Sequence, residues 1–178
     1  AEKLKEIFPF VDKFKFLNSG TEACMAAIKI ARAYTGRSRV LSEGYHGWSD
    51  DFVSLTAPAC GVPGRTWIEK VDISGKLPTS NFPAAIIIEP IMTDDSQERI
   101  ETLHKLRKWC TENDVVLIFD EVITGFRYKK YGVSNCYGIE PDLICLGKAM
   151  AGGMKLAAVG GKADIMDNEQ YFVSSTYA

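Results

Sequence analysis

The chain has 178 residues and a mass of 19.7 kDa, a size suited to one domain with a substantial core. Hydrophobic residues make up 46% and charged residues 25%, with a mean hydropathy of -0.06, which excludes a disordered or collagen-like chain. A net charge of -2 with no basic run speaks against a nucleic-acid partner or a membrane surface, and apolar runs such as 84–88 and 115–119 are far shorter than the ~18 residues of a membrane helix.

In chain order, the first ten residues, AEKLKEIFPF, are charged and lack the apolar core of a secretory signal; both ends of the chain read as continuing. Asn18, Ser19 and Gly20 then form a small turn able to cap a helix. Apolar residues at Ala23, Ala27, Ile30 and Ala31, with Gly36 as a stop, predict that helix over 21–34. The runs 39–42, 85–89, 115–119, 143–146 and 156–159 do not alternate, the pattern of strands covered on both faces, and they predict a parallel or mixed sheet. Between the second and third of these runs, Ile100, Leu103, Leu106, Trp109 and Cys110 recur at helical spacing behind Asp95, which is expected to cap with Glu98. The three elements together make a βαβ unit. Segments 58–64 and 72–83 are rich in Pro, Gly and Ser and read as loops. Five cysteines, Cys24, Cys60, Cys110, Cys136 and Cys145, are odd in number and none is spaced as CxxC. They fit reduced thiols in a cytoplasmic compartment better than a disulfide framework, and with only His46 and His104 beside them no metal site is expected.

Ligands of α/β sheets gather beyond the carboxyl ends of strands, so the polar residues that close the apolar runs are the ones to weigh. The run 115–119 leads straight into Asp120 and Glu121, and a buried strand-end acid is costly unless a cation or donor meets it. The run 143–146 leads into Gly147 and Lys148, which places a lysine at an equivalent strand end 28 residues after Asp120. Ser19, Gly20 and Thr21 offer backbone N–H groups at a helix N-terminus, suited to an anion. Tyr45 and His46 come just after the run 39–42. Each has a plain alternative: a helix cap, a turn or salt-bridge acid, a solvated lysine, a packed aromatic. Together they suit a phosphorylated, planar, cationic aldehyde. No Walker A sequence, G-x-G-x-x-G or G-x-S-x-G competes with this reading.

Seven motifs in register then carry a family resemblance: Asn18-Ser19-Gly20-Thr21-Glu22-Ala23, Gly44-Tyr45-His46-Gly47, Ile88-Glu89-Pro90, the segment from Phe119 to Arg127, Pro141-Asp142, the segment from Leu146 to Gly153, and Ser175-Thr176. The chain resembles the class III pyridoxal-phosphate-dependent aminotransferases of fold type I, most strongly the branch that contains glutamate-1-semialdehyde aminomutase. The resemblance implies a three-layer αβα sandwich with a mostly parallel mixed sheet, residues 1–178 being the cofactor-binding large domain of a longer chain with its N-terminal segment and C-terminal small domain absent. It implies pyridoxal 5'-phosphate as cofactor, and a small-molecule amino donor with a keto or aldehyde acceptor.

By the same resemblance, Lys148 is the Schiff-base lysine and proton carrier, and Asp120 the partner of the pyridine nitrogen. Val122 and Tyr45 lie against the two ring faces, and Ser19, Gly20 and Thr21 cradle the phosphate. His46 joins the cofactor-binding set. Thr176 reaches the phosphate of a neighbouring subunit, which implies a homodimer with shared active sites. Glu89 and Glu121 are expected as acids near the cofactor. Two departures are Trp48, where the aminomutases usually carry His, and Met154-Lys155-Leu156, where the family often has Pro and small residues. An intramolecular aminomutase is the alternative activity. A non-catalytic relative is disfavoured by the intact Lys148.

Overall fold

A computed structural model describes residues 1–55, 61–62, 67–129, 131–167 and 172–176. Seven strands, β1 (Lys13–Leu17), β2 (Val40–Glu43), β3 (Ile68–Lys70), β4 (Ala85–Ile88), β5 (Val116–Asp120), β6 (Leu143–Leu146) and β7 (Ala157–Gly161), form one sheet in the order β1-β7-β6-β5-β4-β2-β3. The five strands from β3 to β6 along that order are parallel to one another, and β7 runs antiparallel to both β6 and β1. The helices are α1 (Glu2–Ile7), α2 (Gly20–Thr35), α3 (Asp50–Val53), α4 (Gln97–Glu112), α5 (Val133–Tyr137) and α6 (Ala163–Met166), with a 3-10 turn at Lys148–Ala151.

Strand alternation divides the core between two faces of the sheet. On one, Val116, Ile118, Leu143, Cys145, Ala157 and Val159 pack under the buried side of α2, joined by Ile165 and Met166 of α6. On the other, Leu117 and Phe119 meet Ile100, Leu103, Leu106 and Cys110 of α4. Farther along that second face, Ile144, Leu146 and Ala158 meet Leu4 of α1. The result is the expected three-layer αβα sandwich. Strands β4, β5 and β6 are buried along their whole length, which is why they read as unbroken apolar runs.

The βαβ unit forms as expected, with β4 and β5 parallel neighbours joined through α4. Its cap is Ser96 rather than Asp95: extended backbone at Ser96 aims its side chain to accept from Arg99 N–H at 3.2 Å, and Asp94 braces the turn by accepting from Ser96 N–H at 2.9 Å. Segment 72–83 is irregular as expected; of 58–64 only 61–62 is described, and Cys60 lies outside the described residues. Cys24, Cys110, Cys136 and Cys145 are free thiols. Among the described residues no helix is long and apolar enough to cross a membrane.

Candidate active site

The carboxyl ends of β2, β4, β5 and β6 converge with the N-terminus of α2 around a cavity of about 300 Å³. Gly20, Thr21, Tyr45, His46, Glu89, Asp120, Val122 and Lys148 line it, together with Cys24, Gly47 and Ile123. Eight of the eleven residues expected at or near the site from sequence are therefore brought together. Ser19, Glu121 and Thr176 are not among the lining residues.

Asp120 closes β5 and is nearly buried, at 5% exposure. Its charge is met by three donors. His46 Nδ1 lies 2.8 Å from Oδ2, the Cys24 thiol donates to the same oxygen at 3.3 Å, and Val122 N–H donates to Oδ1 at 3.0 Å. The carboxylate accepts only, so the bond with His46 assigns the ring proton to Nδ1. That leaves Nε2 buried and without a hydrogen-bond partner among the described residues. The ring rests edge-on to Phe52, with centroids 5.3 Å apart. Cys24, His46 and Asp120 are types that bind metals, yet their spacing is that of hydrogen bonds: tetrahedral zinc holds N and O ligands about 3.3 Å apart, against 2.8 Å here.

Glu121, the next residue, faces the other way. Alternation sends it to the α4 side, where its fully buried carboxylate accepts from Val133 N–H at 2.7 Å, Ser134 N–H at 2.8 Å and the Thr124 hydroxyl at 2.9 Å. It anchors the first turn of α5. The expectation of Glu121 as an acid near the cofactor is corrected accordingly.

Glu89, at the end of β4, accepts from Tyr45 N–H at 2.8 Å and so ties the loop after β2 to the sheet. Burial pushes its carboxyl above the ordinary value, with Asp120 adding to the rise and the Tyr45 N–H, His46 and Lys148 opposing it. Gly44 and Gly47 take positive φ, 108° and 105°, and any side chain at Gly47 would run into Thr21. The loop can lie against α2 only because Gly47 carries no Cβ, and a Cβ at Gly44 would meet the Glu89 side chain.

At the start of α2, Ser19 accepts from Glu22 N–H at 3.3 Å, while Glu22 accepts from the N–H groups of Asn18 and Ser19. This capping box, with Ala23 N–H bonded to Ser19 O, leaves the Gly20 and Thr21 amides without a protein acceptor among the described residues. Both residues line the cavity. The side chain of Ser19 is occupied as the cap.

Lys148 lies just beyond β6 with φ 44°, a left-handed conformation for a residue with a Cβ. Such strain, worth about 1–2 kcal/mol, persists where surrounding structure imposes it and gathers at functional positions. Thr176 is exposed, next to Ser175, whose hydroxyl donates to Phe16 O at 2.7 Å at the end of β1. Cys24, Gly47 and Ile123 line the cavity without having been assigned to it from sequence; Gly47 and Ile123 fall inside the quoted motifs, and Cys24 does not. That cysteine sits on the apolar face of α2 at the spacing of core residues, and nothing in the sequence sets it apart from Ala23 or Ala27.

A family model described as "Aminotransferase class-III" matches residues 72–177. A glutamate-1-semialdehyde 2,1-aminomutase from Francisella philomiragia subsp. philomiragia is 39% identical over 188 residues, covering 93% of this chain and 43% of the relative. An omega-transaminase from Sphaerobacter thermophilus superposes with a TM-score of 0.75 at 32% identity, covering 93% of this chain and 44% of that one. A transaminase with PLP bound superposes with a TM-score of 0.84 at 28% identity, covering 99% and 48%. The chain thus spans less than half the length of each of these proteins.

Proposed function

The chain belongs to the class III aminotransferases, and from that premise we propose that it is the cofactor-binding large domain of a longer pyridoxal-phosphate enzyme. That enzyme moves an amino group between an amine or amino acid and a keto or aldehyde acceptor. The observation that carries this reading is one cavity joining a donor-held strand-end acid, a strand-end lysine and two free amides at a helix N-terminus. These residues fit the cofactor group by group. An aldehyde needs an amine, a cationic ring nitrogen needs an anion, and a phosphate needs N–H donors and the positive end of a helix.

When bound, pyridoxal phosphate supplies the carbonyl that takes up the amine and the ring that withdraws electrons from the carbon being deprotonated. Lys148 would hold the cofactor through its aldehyde, and its amine would be the group placed to move a proton at the substrate carbon. Asp120 pairs with the ring nitrogen and keeps it protonated. His46 fixes the Asp120 carboxylate. Val122 and Tyr45 enclose the ring, and Gly20 and Thr21 take the phosphate. Ser19 serves the phosphate indirectly, by capping the helix whose amides bind it. Glu89 holds the Tyr45 loop in place.

Thr176 lies exposed and outside the cavity, which supports a role toward the phosphate of a second subunit and hence a homodimer with shared sites. The unpaired thiols support a reducing compartment such as the cytoplasm. The relative named as an aminomutase favours a second reading, transfer within one substrate. Stopped-flow absorbance on the full-length enzyme with cofactor tests both. A transaminase loses its visible band on adding an amino donor and regains it only on adding a separate carbonyl acceptor. An aminomutase completes turnover without the acceptor. No visible band at all, or spectral changes that survive Lys148→Ala, would overturn the proposal.

A further inference from the structure

Asp120 Oδ2 receives two donors, and the second, Cys24, has no role in the chemistry assigned to Lys148 and Asp120. Cys24 is 1% exposed on the buried face of α2, beside Ala23, Ala26, Ala27 and Ile28, where an apolar residue would pack equally well. Its thiol instead donates to Oδ2 at 3.3 Å, on the oxygen that His46 Nδ1 approaches to 2.8 Å. With Val122 N–H on Oδ1 at 3.0 Å, the carboxylate is held by the helix, by the loop after β2 and by the turn that follows β5. A carboxylate held at both oxygens cannot rotate about its own axis without breaking a bond.

We infer that Cys24 is a positioning residue that, with His46, fixes the Asp120 carboxylate for its ring-nitrogen partner. The inference rests on the proposed pairing of Asp120 with the ring nitrogen and extends it to a residue outside the motifs that carry the family resemblance. Burial and the nearby Asp120 charge push the Cys24 thiol well above its ordinary value, so the sulfur keeps its proton and remains a donor. Cys145, on β6 and equally buried, belongs to the same core cluster. Cys145 therefore serves as a control: a buried thiol of the same neighbourhood without a hydrogen bond to the carboxylate.

The test uses the full-length protein and two probes, pyridoxal phosphate and its 1-deaza analogue, in which a C–H replaces the ring nitrogen. Dissociation constants are read from quenching of tryptophan fluorescence, with thermal melts to confirm folding. Cys24→Val keeps the volume and removes the donor; it is expected to weaken pyridoxal phosphate about three- to ten-fold and to change the analogue by less than about two-fold. Cys24→Ser is expected to recover most of the loss, and Cys145→Ala to leave both constants near wild type. Equal weakening of both probes by Cys24→Val would show packing alone and overturn the inference, as would no weakening of either. A wild-type protein that binds the two probes equally would overturn the Asp120 reading itself, an outcome visible before any Cys24 variant is measured.

Discussion

A carboxylate at the end of a fully buried strand survives there only because other groups were arranged around it. Asp120 gathers an imidazole, a thiol and a backbone amide and still borders a cavity that a lysine shares. In the proposed pairing with the ring nitrogen its charge is the functional quantity, since a neutral side chain of the same size accepts hydrogen bonds but holds no proton on that nitrogen. Asp120→Asn is expected to lower amino-transfer turnover at least about a hundred-fold, the scale for deleting a group that meets developing charge. Steady-state rates with saturating cofactor check this. Asp120 and Lys148 were legible in the sequence because each breaks an apolar run at a strand end. Cys24 was not, because a buried cysteine at helical spacing looks like any core residue until its neighbour across the sheet is known.

Among the elements, those legible in advance were the ones covered on both faces. β4, β5 and β6 are continuous apolar runs, and α2 and α4 carry helical periodicity between clear boundaries. β1, with the alternating sequence Lys-Phe-Lys-Phe-Leu, and the three-residue β3 are edge strands and do not carry the continuous apolar runs from which the other strands were read. The pair Asp120 and Glu121 shows what alternation adds. Both adjacent acids were expected near the cofactor, yet the end of β5 sends one to the cavity and the other to the first turn of α5. Glu121→Gln replaces one accepting oxygen with an NH2 group facing N–H donors and is expected to destabilise the fold by about 2–3 kcal/mol. Denaturant unfolding measures that loss. The cofactor affinity of the folded variant should stay near wild type, which separates this anchor from the residues of the site.

At the scale of the whole molecule, the sheet brings four strand ends and one helix start to a single point, and the convergence itself loads that point with charge. Glu89 shows the cost. Burial raises its carboxyl above the ordinary value of 4.5, against the pull of the Tyr45 N–H. A raised carboxyl binds its proton more tightly in the folded state than in the unfolded one, so it favours the fold below the unfolded value and that contribution fades as pH rises through the folded value. The melting temperature of the wild type should therefore fall relative to Glu89→Gln as pH climbs from about 4.5, a difference readable in melts across a pH series. The fold class and most of the cavity wall were legible from motif order. The two faces of the sheet and the donors around Asp120 were not, because they depend on contacts between residues far apart in the chain. The central claim is that this convergence holds pyridoxal phosphate on Lys148. Its most direct test is to reduce the cofactor-loaded protein with borohydride and map the pyridoxyl group by peptide mass spectrometry. The account predicts one modified peptide, the one that carries Lys148; modification spread over other lysines, or none, would contradict it.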